Sequence, residues 1–332
     1  MINCASQMII FEWGYALDSS APQDVVYRGM EDYTKSLLEF EDRFATEKAC
    51  LEYIRKLRWP EGFYCPRCEN NKGWLTKRNL YHCEQCGLQT SLLADTVFQD
   101  TKKPLHLWFR AIWHVTSQKY GANALGLQRV LGLGSYWTAW AWLHKLRHAM
   151  VRPGRDRLSG VVEVDETYIG GKKPGKRGRG AAGKALVLIM AQEDKNRIGR
   201  IRLRQVPDAS EDSLGFAIQE AVESGSTVRT DGWSSYGGLP RLGYRHKVVR
   251  GTADVGENLL PLAHRVAGLL KRWLLGTYHG AVRDYHLYYY LDEYTFRFNR
   301  RTSRSRGKLF YRLVQQATAI DPTPIKKIRH RT

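Results

Sequence analysis

Four of the six cysteines stand in two pairs, Cys65-Pro-Arg-Cys68 and Cys83-Glu-Gln-Cys86, with fourteen residues between the pairs. That spacing is close to the two-knuckle pattern that sets four thiolates tetrahedrally around zinc. Tyr81 before the second pair and Gly87 after it suit two β-hairpin knuckles, and a segment this short has too few apolar residues to fold without a metal staple. Four sulfur ligands leave no open coordination position, so the expected zinc is structural and not catalytic. A redox role for the pairs needs a thioredoxin-like βαβ context, which the flanking sequence lacks. Cys4 and Cys50 are left over. Arg67, Lys72, Lys77 and Arg78 surround the cluster, and a rigid ribbon presenting cations can grip a phosphate backbone, with protein contact as the rival use.

The rest of the 332 residues allow two or three domains. Lys and Arg number 52 against 33 Asp and Glu, and the formal charge of +19 points to a polyanionic partner, nucleic acid first; a basic enzyme with a solvated surface is the plainer alternative. No stretch approaches the roughly 18 apolar residues that span a bilayer. The longest apolar run, from Ala185 to Ala191, suits a buried strand, and residues 1–20 carry Glu12 and Asp18 without the basic-then-apolar order of a secretory signal. A cytoplasmic protein with no membrane partner is expected.

Along the chain, residues 1–44 show no sustained period and form an extension to which no role is assigned. Residues 45–90 read as a helix, with Ala49, Leu51, Ile54 and Leu57 at helical spacing, leading into the ribbon. Residues 91–153 read as helical, with a break at Leu131-Gly-Leu-Gly134 and Ser135 as N-cap of a segment running to Met150: a helix-turn-helix-like region for binding DNA. There Trp137, Trp140 and Trp142 are assigned to the core, and Lys145, Arg147 and His148 are candidates to face DNA. After Pro153 the pattern turns to strands over Val161–Ile169, Lys184–Ala191 and Ile198–Val206, a helix around Asp212–Val222, and a strand over Thr227–Thr230. That alternation describes an α/β layer fold around one mixed sheet, assigned to residues 154–302. The Gly-rich basic loop Gly170–Gly183 is open to phosphates or is idle solvated chain, and residues 303–332, with Lys326, Lys327, Arg329 and Arg331, read as a basic C-terminal tail with the same ambiguity.

The strand Val161-Val-Glu-Val-Asp165-Glu-Thr-Tyr-Ile169 puts Glu163, Asp165 and Thr167 on one face by its period of two. A carboxylate among apolar strand residues is costly without a partner, so a cation is expected beside it. A second carboxylate, Asp231, ends the strand Ser226-Thr-Val-Arg-Thr-Asp231 just before Gly232-Trp233, and strand ends are common sites of chemistry.

From Phe44 to Arg301 these motifs resemble a known family, the bacterial insertion-sequence transposases of the zinc-ribbon, ISXO2-like type within the wider DDE group. The resemblance is carried by Arg58-Trp-Pro-Glu-Gly-Phe-Tyr-Cys-Pro-Arg-Cys68, Val164-Asp-Glu-Thr-Tyr-Ile-Gly-Gly171, Thr230-Asp-Gly-Trp-Ser-Ser-Tyr236, Leu270-Lys-Arg-Trp-Leu-Leu-Gly-Thr-Tyr-His-Gly280 and Tyr290-Leu-Asp-Glu-Tyr-Thr-Phe-Arg-Phe-Asn-Arg-Arg301. It implies an RNase H-like catalytic domain in which Asp165 and Asp231 are the first two catalytic carboxylates and hold Mg²⁺ or Mn²⁺. The family has Glu, Asn or His seven residues before a Lys on a late helix. Here the Lys is Lys271 and the earlier position is His264, which makes this chain a D-D-H-K variant. Seven residues bring His264 and Lys271 within about 20° of each other on a helix surface, with Leu259, Ala263, Val266, Leu270 and Trp273 as the apolar stripe roughly opposite. Imidazole in place of a carboxylate removes a negative charge and tilts the site toward Mn²⁺. His264 could instead orient water or contact DNA, with Glu257 and Glu293 as reserve candidates for the third carboxylate, while Lys271 suits a phosphate.

The resemblance also implies cleavage and strand transfer on double-stranded DNA, at terminal inverted repeats and target, by a homo-oligomer in the bacterial nucleoid. Two alternatives share these residues: a zinc-ribbon DNA-binding regulator derived from a decayed or domesticated transposase, and a nuclease that cuts without joining.

Overall fold

The computed structural model of the chain describes residues 31–152, 154–170, 184–249, 259–280 and 282–329. Cys4, the basic loop from Gly171 to Gly183, Glu257 and Arg331 lie outside the described residues. Everything below concerns residues from Tyr33 onward, which form one unit.

Helix α1 (Leu37–Arg43) is capped by the Ser36 side chain, which accepts from Glu39 N–H, and α2 (Glu47–Arg58) is capped in the same way by Thr46 on Ala49 N–H. Three short antiparallel strands follow, β1 (Gly73–Leu75), β2 (Leu80–Cys83) and β3 (Gln89–Ser91), in the order β1-β2-β3. Trp59 at the end of α2 packs edge-on against Tyr81 of β2, which stacks on Phe63, so an aromatic trio seats this small sheet against α2.

Helices α3 (Leu105–Ser117), α4 (Ala124–Leu131) and α5 (Tyr136–Ala149) come next. The helical reading of residues 91–153 holds from Leu105 onward; residues between β3 and Pro104 form turns. The α4–α5 turn is the expected glycine break: Gly132 takes the left-handed conformation at the end of α4, and Ser135 stands at the N-cap of α5 without a side-chain cap bond. The tryptophans divide. Trp142 is buried and stacks on Trp108 with centroids 4.0 Å apart, Trp140 is half-buried, and Trp137 is exposed, with the Arg329 guanidinium over its ring. Arg147, a candidate to face DNA, is instead buried; Lys145 and His148 are half-buried.

The larger sheet has five strands: β4 (Val161–Ile169), β5 (Ala185–Asp194), β6 (Arg197–Val206), β7 (Thr227–Thr230) and β8 (Arg245–Val248), ordered β6-β5-β4-β7-β8. β4, β5 and β6 form an antiparallel meander, whereas β7 is parallel to β4 and β8 parallel to β7, which is the RNase H-like arrangement. Helix α6 (Glu211–Ala221) covers one face, where Leu214, Ala217 and Ile218 meet Val162, Val164, Leu188 and Met190. Helices α7 (Pro261–Tyr278) and α8 (Leu287–Asn299) cover the other, where Ala263, Val266, Leu270 and Leu274 meet Val187, Ile189, Ala191 and Leu203. Cover on both faces is why β5 reads as a continuous apolar run. The buried stripe of α7 is close to the expected one, but Leu274 takes the innermost place given to Trp273, which is half-buried, and Leu259 precedes the helix.

The chain ends depart furthest from expectation. Residues 303–332 are not a loose basic tail over their described length, because α9 (Arg306–Ala317) inserts Phe310, Leu313 and Val314 into the core formed by α1, α2, α3 and α5. Phe310 meets Phe40 of α1 and Phe109 of α3 edge-on, so the late part of the extension also joins this core. Gly307 is required in α9: the backbone at Thr34 crosses so closely that a Cβ would have no room. The basic residues Lys326 and Lys327 lie on a last short helix, α10 (Ile325–Ile328).

Candidate active site

The cysteine cluster is built from two like knuckles. Cys65 N–H donates to Asn70 O and Glu69 N–H to Cys65 O; Cys83 N–H donates to Leu88 O and Gly87 N–H to Cys83 O. Glu69 and Gly87 both take positive φ, 62° and 67°, to close these turns. The four sulfurs lie within 4.8 Å of one another, with Cys65–Cys86 at 3.6 Å and Cys68–Cys83 at 3.5 Å. Sulfurs around a tetrahedral zinc at about 2.3 Å stand about 3.8 Å apart, so the donor set and its spacing fit that ion. Backbone N–H groups of Cys86 and Gln85 help bring the Cys83 thiol down to about 6, toward the thiolate that a metal needs. Cys50, by contrast, is a core residue whose thiol burial pushes up to about 12.

The second cluster sits where the sheet changes from antiparallel to parallel pairing. β4 pairs with β7 in register up to Glu163 opposite Arg229, and two residues further along each strand come Asp165 and Asp231, on the same face of the sheet. Burial pushes the Asp165 carboxyl up to about 6, and the negative charges of Glu166 and Asp231 add to that push. Of the groups that act most on it, only His264 can carry positive charge; its Nε2 stands 3.3 Å from Asp165 Oδ2. Asp231 is held by the turn after β7: its Oδ1 accepts from Trp233 N–H at 3.0 Å, and Thr230 Oγ1 accepts from Gly232 N–H while pairing with His246 Nε2. Gly232 has φ +81°, and a Cβ there would collide with Val248 of β8, so only glycine lets the turn lie flat on that strand. Glu166 points to the opposite face, where the buried Tyr236 hydroxyl donates to it at 2.5 Å.

Thus the structure brings together Asp165, Asp231 and His264. Lys271 lies two turns along α7 from His264 on the same exposed face. Among the described residues the four cysteines are the only set of three or more donor side chains drawn within 4.8 Å, so the carboxylate cluster is the more open of the two. Glu163 does not receive the side-chain cation expected on this strand face as its bonded partner. Its Oε2 accepts instead from the backbone N–H of Leu262 at 2.7 Å and of Ala263 at 3.1 Å, at the start of α7.

Residues 45–89 match the transposase zinc-ribbon domain and residues 157–299 match the ISXO2-like transposase domain. The chain belongs to the ISXO2-like transposase family. It is also similar, at 25% identity over 252 residues that cover 70% of this chain and 84% of the relative, to an uncharacterized protein in transposable element ISH50 of Halobacterium salinarum. No helix among the described residues is long and apolar enough to cross a membrane.

In this transposase Glu293, a reserve candidate for the third carboxylate, is a structural hub and not part of the cluster. It is 1% exposed and accepts from Arg147 Nε and Arg297 Nε, each at 2.8 Å, and from the Tyr278 hydroxyl at 3.1 Å. Arg297 continues to the carbonyls of Val115 and Gln118, and Arg147 lies over the Tyr290 ring, so α3, α5, α7 and α8 of the transposase meet at one buried carboxylate. The four-residue spacing of Glu293 and Arg297 is a visible helix ion-pair signal. Arg147, 146 residues away, offers no local signal at all.

Proposed function

We propose that this transposase cuts DNA strands at the ends of an insertion sequence and joins the freed 3′ ends to target DNA, with Asp165 and Asp231 as the carboxylates that hold divalent cations. The observation that carries the reading is the Asp165 carboxyl, pushed up to about 6 beside Asp231 and His264: a half-enclosed cluster of acids that a cation would relieve. Oxygen donors suit Mg²⁺ or Mn²⁺, which when bound supply activated water and charge neutralisation at phosphorus. The chain's own groups do the rest. Asp165 and Asp231 set the donor positions from two adjacent strands, His264 orients Asp165 and completes the D-D-H-K set, and Lys271 binds a phosphate further along α7. The four-cysteine zinc ribbon and the helices before the sheet grip the duplex, and pairing of two element ends calls for at least two copies of the chain.

The test is cleavage of terminal-repeat DNA with Mg²⁺ or Mn²⁺. Asp165→Asn and Asp231→Asn should each bind the DNA as the parent does and fail to cut it; a variant that cuts normally overturns the assignment. Joined products with target DNA separate transposition from cutting alone. One observation favours a second reading, a DNA-binding regulator derived from a transposase: the third position is His264 and not a carboxylate. Binding of terminal repeats without cleavage in either metal would support it.

A further inference from the structure

The acid that meets the start of α7 is Glu163. Helix α7 has no side-chain cap of its own: Leu260 stands at the N-cap and Pro261 at the first position, which leaves the N–H groups of the next residues without partners inside the helix. Glu163 Oε2 takes two of them, Leu262 and Ala263. The side chain is 3% exposed, sits two residues from Asp165 on the same strand face, and lies opposite Arg229 in the β4–β7 register. A buried carboxylate at a helix N-terminus accepts charge-assisted bonds aligned with the helix dipole, a strong and directional tether. Glu47, an exposed carboxylate, likewise accepts from Leu105 N–H at the start of α3.

What differs at Glu163 is the neighbour. The residue after Ala263 is His264, at 3.3 Å from Asp165. Two points two residues apart on β4 therefore hold consecutive points on α7, which fixes both the slide and the rotation of the helix. A slip of one residue would turn His264 by about 100° away from Asp165 and carry Lys271 with it. We propose that Glu163 is a positioning residue for the active site: its carboxylate sets the phase of α7, and so places His264 and Lys271 against the carboxylate pair, without touching substrate or metal.

This rests on the proposed cleavage in its kinetic arm and is independent of it in its spectroscopic arm. In the full-length zinc-loaded protein, Glu163→Ala should lower kcat for terminal-repeat cleavage by about 100-fold, the scale of a small misplacement of reacting groups, with KM for the DNA changed less than about twofold; Glu163→Gln, which keeps an acceptor oxygen, should recover most of kcat. Without any turnover, the imidazole NMR signals of His264 should shift on Asp165→Asn in the parent and be insensitive to it in Glu163→Ala. If Glu163→Ala fails to fold, Glu163→Met, which fills similar space without an acceptor oxygen for the two N–H groups, should give the same two changes. Parent-like kcat in a folded Glu163→Ala, or His264 signals that still respond to Asp165→Asn, would overturn the proposal. Absence of cleavage by the parent would instead count against the proposed function, leaving the NMR result to decide this one.

Discussion

The carboxylate cluster on β4 and the carboxylate hub on α8 are made of the same groups, and they reach opposite electrostatic states. At the hub, burial pushes Glu293 up, but the Arg297 and Arg147 guanidiniums outweigh it and hold the acid below its ordinary range. At the cluster, burial, Glu166 and Asp231 all push Asp165 up, and the imidazole at 3.3 Å offsets only part of it. In the first region two guanidiniums outweigh burial; in the second, burial and the neighbouring acids outweigh the imidazole. The contrast teaches where to look for chemistry in a fold rich in acids: the buried, doubly paired Glu293 is structural, whereas Asp165, whose charged form its surroundings disfavour, is the acid at which to test for an external cation.

The comparison predicts opposite costs on substitution. The largest effect should be on activity: Asp165→Asn should lower metal-dependent cleavage by about a thousandfold or more, the order of several kcal/mol supplied by bound metal, while leaving the melting temperature unchanged or higher. Next comes stability at the hub. Glu293→Ala takes the carboxylate from the buried Arg147 and the half-buried Arg297 and should cost about 3–5 kcal/mol, read by urea unfolding; a folded Glu293→Ala with parent-like stability would remove the hub from the contrast.

The pH dependence sharpens the same contrast. Asp165 holds its proton more tightly folded than unfolded, so its contribution to stability is present at low pH and is lost as pH rises through about 6. Glu293 runs the other way: its contribution is present above the ordinary glutamate range and is lost as pH falls below it. Melting curves from pH 3 to 8 without added Mg²⁺ should therefore show a fall between the ordinary aspartate range and about pH 6, levelling off above it, that Asp165→Asn abolishes, and Mg²⁺ or Mn²⁺ added at pH 7 should raise the melting temperature of the parent but not of that variant. The smallest effect expected is from Gly232→Ala, about 1 kcal/mol or somewhat more from the positive φ and the contact with Val248, measured by the same unfolding experiment.

Much of this was legible in the sequence because the signals were local. The two cysteine pairs, the period-two run around Asp165, the strand ending at Asp231 and the seven-residue step from His264 to Lys271 each lie within a short window, and the structure places them as a four-sulfur cluster and a shared face. What escaped was long-range partnership. Glu163 looked like an acid in want of a cation, and its partners proved to be backbone N–H groups 99 and 100 residues away, which no side-chain pattern announces. Arg147 looked like a DNA contact for the same reason, since only the fold brings Glu293 to it. Trp137 has the chemistry of a core residue, but it sits on the outer side of α5, at 54% exposure.

The insertion of α9 into the first core has a consequence for how the polypeptide is made. Phe310, Leu313 and Val314 fill the space between helices more than 150 residues earlier, and Val97 N–H bonds to Ala317 O. A ribosome that has translated every helix of the front half still lacks the wedge that closes it, so that half waits for the final stretch of synthesis. A message cut short before codon 306 leaves that core without Phe310, Leu313 and Val314, and premature termination therefore yields a front half that cannot close.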